Sequence, residues 1–272
     1  MNARERLSGK VAVVTGAGSR APGIGIGRAT SVLFAREGAS VALLDNRREW
    51  AEETFRMIDE EGGNAFVVEC DVTQPSSCES AVEEILSNVD GIDILVNNVG
   101  IGGPAGTAID VDPAEWDQAM AVNVKSMMLM AKYCIPEMIT RGGGSMINIA
   151  SMAGMRGGHP DVTYPATKGA VVNMSRSMAA HHGADGIRVN CVAPGLVYTP
   201  MVAVQGLPPE LRETRRLASA LKTEGTAWDV AMAVVFLASD ESRWITAVTL
   251  PVDAGITAIT PTPVPRPGQM NW

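Results

Sequence analysis

The sequence predicts one α/β domain over residues 1–258, a doubly wound parallel sheet of about seven strands with helices on both faces. Three observations carry this expectation. Short β-branched runs alternate with longer helical patterns along the chain, which implies right-handed crossovers between parallel strands. The runs are apolar almost throughout rather than alternating with polar residues, as suits strands covered on both sides. With 272 residues, 46% of them apolar and 19% charged, the chain can bury one large core.

Each element follows in turn. "KVAVVTG" (10–16) reads as a strand, and "GRATSVLFAREG" (27–38) as a helix closed by glycine. "SVALLD" (40–45) is the second strand, followed by a helix from about Arg47 to Glu61. "AFVVECDV" (65–72), a helix over 76–88 and "DILVNN" (93–98) repeat the alternation. A long helix from Pro113 to Thr140, "SMINIAS" (145–151) and a helix from Asp161 to His182 come next. "IRVNCVAP" (187–194) and "ITAVTLPVD" (245–253) supply the last two strands. Residues 196–224 form a long connection of the kind that often serves as a binding loop, with Pro208–Pro209 as a helix start. The tail 259–272, "ITPTPVPRPGQMNW", reads as extended, with Trp272 as a docking residue.

Composition excludes several classes of function. The net charge is −8, and the pairs Arg47–Arg48 and Arg215–Arg216 stand among acids, so no nucleic-acid partner is expected. No apolar run reaches the length of a membrane span, and "MNARERLSGK" lacks the apolar core of a signal peptide, so a cytoplasmic location is expected. Cys70, Cys78, Cys134 and Cys191 are widely spaced with no CxxC pair, so buried reduced thiols are expected and no metal site.

The turn "TGAGSRAPGIGIGRA" (15–29) sits between the first strand and the first helix, the context a dinucleotide loop requires. Glycines admit a diphosphate to the backbone, and a helix N-terminus offers it free N–H groups. Asp45, at the end of the second strand, can accept hydrogen bonds from an adenosine ribose. The combination predicts a Rossmann-type nucleotide site, although Gly16 and Gly25 stand too far apart for the tight glycine spacing.

This loop resembles the cofactor loop T-G-x-x-x-G-x-G of the short-chain dehydrogenase/reductase family, with Arg20–Ile24 ("RAPGI") as a five-residue insertion. Removing those residues leaves "TGAGSGIGRA", the family's usual spacing. Further motifs resemble the family's in order: "CDVT" (70–73), "NNVG" (97–100), "NIASMAG" (148–154), "YPATK" (164–168), "VNCVAPGLVYTPM" (189–201) and "VDAG" (252–255). Val99 and Ala254 depart from the family's N-N-A-G and closing glycine pair.

The resemblance implies reversible hydride transfer between a nicotinamide cofactor and a small-molecule secondary alcohol or ketone. It implies that Asn123, Ser151, Tyr164 and Lys168 form the catalytic set. Gly16, Ser19, Arg20, Gly25 and Ile26 would meet the cofactor along the loop, and Asp45 its adenosine ribose. Asp71 and Val72 would lie against the adenine, Asn98 beside a ribose, and Val197 and Thr199 at the nicotinamide amide, with Tyr164 and Lys168 completing the contacts. Tyr164 and Lys168, four apart on a helix, share one face, so an ammonium is expected to lower the phenol below its ordinary value near 10. Ser151 would polarise the substrate oxygen, although a strand-end serine also serves as a turn cap. The resemblance assigns Asn123 a water that links the lysine to solvent.

Arg156, His159 and Asp161 lie between Ser151 and Tyr164; either they face the pocket, where Arg156 or His159 would hold a carboxylate or hydroxyl, or they are solvent-exposed loop residues, and they do not name the substrate. Asp45 favours NAD over NADP by charge repulsion, and Arg20, Arg47 and Arg48 argue the other way. An NADP-dependent 3-oxoacyl reductase and a non-catalytic nucleotide-binding regulator are the competing readings. The intact catalytic set counts against the regulator. Apolar positions on the 113–140 and 161–182 helices, including Met127, Met128, Met130, Met174 and Met178, exceed what one sheet face needs, which marks an interface, and the resemblance implies that these helices pair in a homotetramer.

Overall fold

The computed structural model describes residues 5–204 and 206–259. Among the described residues seven strands form one parallel sheet in the order β3-β2-β1-β4-β5-β6-β7. The strands are β1 (Val11–Thr15), β2 (Ser40–Asp45), β3 (Asn64–Glu69), β4 (Ile94–Asn97), β5 (Gly144–Ile149), β6 (Ile187–Pro194) and β7 (Thr249–Val252). Chain order reverses direction across the sheet between β1 and β4, and the carboxyl ends of the strands there form the crevice where such folds bind ligands.

The apolar strands serve two cores at once. Ala12 and Val14 of β1 join one cluster and Val13 the other, because successive side chains leave opposite faces. Helices α1 (Ile26–Arg36), α2 (Arg48–Asp59) and α9 (Ala227–Ala238) cover the first face. Helices α3 (Pro75–Asn88), α5 (Ser126–Thr140) and α6 (Thr163–His182) cover the second. Local sequence sets the helix starts. Prolines occupy the first turn of α3 and of α4 (Pro113–Met120), where no backbone donor is needed, and Asp112 caps α4 by accepting from Glu115 N at 2.9 Å. A reciprocal pair between Thr226 and Asp229 opens α9.

Four expectations need correction. The helix expected over 113–140 is interrupted at Ala121–Lys125 by one π-helical turn, which holds Asn123. The third strand ends at Glu69, because Asp71 Oδ1 accepts from Thr73 N at 2.9 Å and turns the chain. The last strand begins only at Thr249. Met127 and Met130 pack into the chain's own cores, so they add nothing to an outer apolar surface. The long 196–224 connection contains α7 (Pro200–Ala203) and α8 (Pro209–Leu217), and no residue of α8 is buried. All four cysteines are buried and unpaired. No described helix is long and apolar enough to cross a membrane, and no described group of acids, histidines and cysteines could hold a metal ion. The tail from Thr260 to Trp272 lies outside the described residues.

Candidate active site

The glycine loop is held on every side before any ligand contact is considered. Asn98 Nδ2 donates to the carbonyls of Thr15 and Gly16, both at 3.1 Å, and Asn98 N donates to Thr15 Oγ1 at 3.0 Å. Gly18 N donates to Asp45 Oδ2 at 3.0 Å, and Arg47 N to Asp45 Oδ1 at 3.2 Å. Asp45 is thus a brace for the loop as well as a strand-end acid. Burial raises its pKa above the usual carboxylate value, against the pull of these backbone donors.

Arg28, only 1% exposed, ties the loop from within. It donates to Gly23 O at 2.9 Å, to Thr54 Oγ1 at 3.1 Å and to Glu53 Oε2 at 2.8 Å, while Thr54 Oγ1 donates to Ala17 O at 2.7 Å. Ser19 Oγ donates to Ala21 O at 2.6 Å, so the segment expected to be an insertion is an ordered bump. Gly23 in this bump approaches Pro200 of α7.

Two glycines of the loop do different things. A Cβ on Gly27 would stand 2.0 Å from Gly16 O, so the start of α1 packs directly on the strand end. A Cβ on Gly25 would meet nothing within 4 Å. Gly25 precedes an eleven-residue helix that has no side-chain cap and no acid in its first turn. Free N–H groups facing open space fit a diphosphate, so the residues present suit a dinucleotide.

The proposed catalytic residues converge at the carboxyl end of β5. Lys168 is 3% exposed, and its Nζ donates to Ile149 O at 2.8 Å and lies 5.8 Å from the centre of the Tyr164 ring. Burial pushes the lysine down to about 8. The phenol of Tyr164 departs from the expected direction. Burial raises it above its ordinary value, and the effect of the Ser151 hydroxyl only partly offsets this. Ser151 Oγ accepts from Ala153 N at 3.2 Å and so caps the turn as well, which leaves its own proton for the phenol or a substrate oxygen.

Asn123 is fully buried. Its Oδ1 accepts from Ile101 N at 2.8 Å, and its Nδ2 donates to Ile101 O at 2.9 Å and Thr167 Oγ1 at 3.0 Å. Thr167 Oγ1 in turn donates to Tyr164 O at 2.8 Å. The π turn sets Asn123 at this junction, a common use of such turns. Gly100 lies between the two sides, since a Cβ there would be 3.3 Å from Lys168 Nζ and 3.5 Å from Asn123 Oδ1. Thr167 and the Ile149 carbonyl were not anticipated. Thr167, three residues after Tyr164 on the same helix face, was the readable signal.

Among the remaining expected contacts, Val72 is buried and Asp71 N donates to Ser77 Oγ at 3.0 Å. Val197 N donates to Gly195 O at 2.9 Å, and Thr199 precedes α7 without a side-chain cap bond. Arg156 donates to Ile256 O at 3.0 Å and is directed to the C-terminal segment. His159 does adjoin the site, its ring 5.4 Å from that of Tyr164, beside a cleft of about 380 Å³ between Thr107–Ala108 and Gly157–Val162. Its Nδ1 accepts from Asp161 N at 3.1 Å, while Asp161 Oδ1 accepts from Gly106 N.

Comparison with known proteins places this chain in a family. Residues 21–257 match the family described as enoyl-(acyl carrier protein) reductase. The chain is 38% identical to 2-(S)-hydroxypropyl-CoM dehydrogenase 3 of Xanthobacter autotrophicus, over 93% of this chain and 99% of that one. It is 35% identical to cis-4-hydroxycyclohexanecarboxylate dehydrogenase of Sinomonas cyclohexanicum, over 94% and 99%. A gluconate 5-dehydrogenase from Burkholderia cenocepacia, solved with NADP and tartrate, superposes with a TM-score of 0.87 at 31% identity, covering 95% of this chain and 99% of that one. The chain belongs to the short-chain dehydrogenase/reductase family, whose members are NAD(P)-dependent oxidoreductases.

Proposed function

We propose that this protein interconverts a secondary alcohol and its ketone with NAD(H), with Tyr164 as general acid and base. The observation that carries the reading is a buried Lys168 whose Nζ lies 5.8 Å from the centre of the Tyr164 ring one helical turn away, with the Ser151 hydroxyl pulling on the phenol. A bound nicotinamide would supply or accept the hydride exchanged at the carbinol carbon. The chain's own groups handle the oxygen. Ser151 donates to it while charge develops, and Tyr164 gives it a proton in reduction or takes one in oxidation. Lys168, fixed by the Ile149 carbonyl, keeps donors free for a ribose, and Asn123 with Thr167 holds the Tyr164 turn in place. Tyr164→Phe is expected to lower turnover by about a hundredfold or more while leaving cofactor affinity nearly unchanged. Turnover close to the parent's removes Tyr164 from the mechanism.

Asp45 supports NAD, because a 2′-phosphate at the end of β2 would meet its carboxylate. The opposing observation is that Arg20 and Arg47 are exposed with no ion pair among the described residues, whereas Arg48 pairs with Glu52 at 3.2 Å. The solved relative carrying NADP supports that second reading. NAD is expected to exceed NADP in kcat/KM by at least about tenfold, roughly 1.4 kcal/mol. Asp45→Ala is expected to narrow the gap and also to weaken NAD, since Gly18 N loses its acceptor. A higher kcat/KM with NADP in the unaltered protein makes Arg20 and the bump a phosphate clamp.

A further inference from the structure

Helix α8 carries three arginines, and they are not equivalent. Arg212 forms a two-pronged pair with Glu224 at 2.7 and 2.5 Å and stacks its guanidinium 3.9 Å from the centre of the Tyr198 ring. Arg216 forms a two-pronged pair with Glu213, both contacts at 2.7 Å. Arg215 stands between them and has no carboxylate within ion-pair distance among the described residues. The nearby Glu224 acts on it only at longer range and is committed to Arg212.

Arg215 is nevertheless half-buried on a helix that buries none of its residues. Its contact with the body is one long hydrogen bond, from Nη2 to Val197 O at 3.4 Å. Loss of water lowers its pKa below the ordinary arginine value. A guanidinium that gives up water without gaining a carboxylate is costly unless something else supplies the charge. It also offers a planar fork of donors that matches a carboxylate or sulfonate. Its location limits what that anion is. Val197 belongs to the stretch proposed to lie at the nicotinamide, so the fork stands by the reacting end of the site and away from Asp45. The chain as a whole carries −8, so its overall field repels anions and recognition has to be local.

We propose that Arg215 recognises an anionic group of the substrate, and that the substrate is a secondary alcohol or ketone bearing a carboxylate or sulfonate. This rests on the hydride-transfer reading above and adds the substrate class to it. One named relative and the solved neighbour support it, in that hydroxycyclohexanecarboxylate, gluconate and the tartrate bound to that neighbour are such anions.

The experiment has a binding arm that needs no turnover. Butanoate, ethanesulfonate and the neutral butanamide are titrated calorimetrically into the NAD-loaded protein and into its Arg215→Ala and Arg215→Lys forms. The anions are expected to bind the parent and to lose at least about tenfold in affinity in Arg215→Ala, with partial recovery in Arg215→Lys and no change for butanamide. Comparison of butanoate with ethanesulfonate tells which head group the fork prefers. In the activity arm, kcat/KM for 3-hydroxybutanoate is expected to fall at least about tenfold relative to its methyl ester in Arg215→Ala, chiefly through KM. The proposal is overturned if the parent binds neither anion, if acid and ester lose equally, or if NAD affinity falls in parallel, which would assign the arginine to the cofactor. Failure of the hydride-transfer reading looks different, with anion binding intact and turnover insensitive to Tyr164→Phe.

Discussion

Tyr164 and Lys168 are shifted in opposite directions by the same cause, burial. The phenol, raised, stays protonated through neutral pH, which in the proposed mechanism favours ketone reduction there. The lysine, lowered to about 8, is an ammonium below that pH and an amine above it. The kcat/KM for reduction is therefore expected to be flat near neutrality and to fall as pH rises through about 8, while alcohol oxidation, which needs the phenolate, climbs with pH. Paired pH–rate profiles check this, and a reduction limb that stays flat well above pH 9, about one unit beyond the lysine, refutes it. Spacing in "YPATK" was enough to place both residues on one face. It could not reveal the direction of the tyrosine shift, because spacing shows which groups are neighbours and not how much water reaches them.

The glycine loop makes a matched pair of predictions at the level of the element. Gly27→Ala would drive a methyl onto Gly16 O, and is expected to destabilise the fold by about 1–3 kcal/mol, visible as a lower unfolding midpoint. Gly25→Ala has open space and an ordinary φ of −84°, so its stability is expected to hold while cofactor affinity drops, because the methyl enters the place proposed for a diphosphate. Equal stability losses in the two variants would show that Gly25 is part of the packing. The strand–turn–helix context made this loop readable despite its odd spacing. The ordering of the bump was not readable, since it depends on Arg28 reaching Gly23 O and on Thr54 from a different helix. The π turn was hidden for a related reason. Apolar periodicity over 113–140 survives one extra residue in a turn, whereas the hold of Ile101 on Asn123 comes from a distant loop.

At the scale of the whole molecule, strand alternation sufficed for the sheet, because seven nearly continuous apolar runs have few other ways to be covered. The outer surface was less readable. The methionines expected to form an interface are in part core, while Trp244 is 93% exposed and Met232 and Val248 are also exposed, near the edge strand β7. We propose the homotetramer that the family resemblance implies, with Trp244, Met232 and Val248 in its interface, since exposed apolar patches mark such contacts. Light scattering at micromolar concentration is expected to give four times the chain mass of 28.6 kDa, and Trp244→Glu a smaller species. A monomeric parent refutes the assembly.

The register of the sheet also governs when the protein becomes competent during its synthesis. Ala12 pairs with Ile94, Ile94 with Ser145, and Ser145 with Arg188, so each central strand waits for a partner made some forty to eighty residues later. Such long-range pairing is slow and leaves apolar strand edges uncovered while it lasts. The braces of the nucleotide loop arrive in the same staggered way, Asp45 early and Asn98 only with β4. The Lys168 anchor on Ile149 then needs both β5 and α6. A growing chain that has emerged only to Asn98 therefore has the residues that brace the loop and none of Ser151, Tyr164 and Lys168.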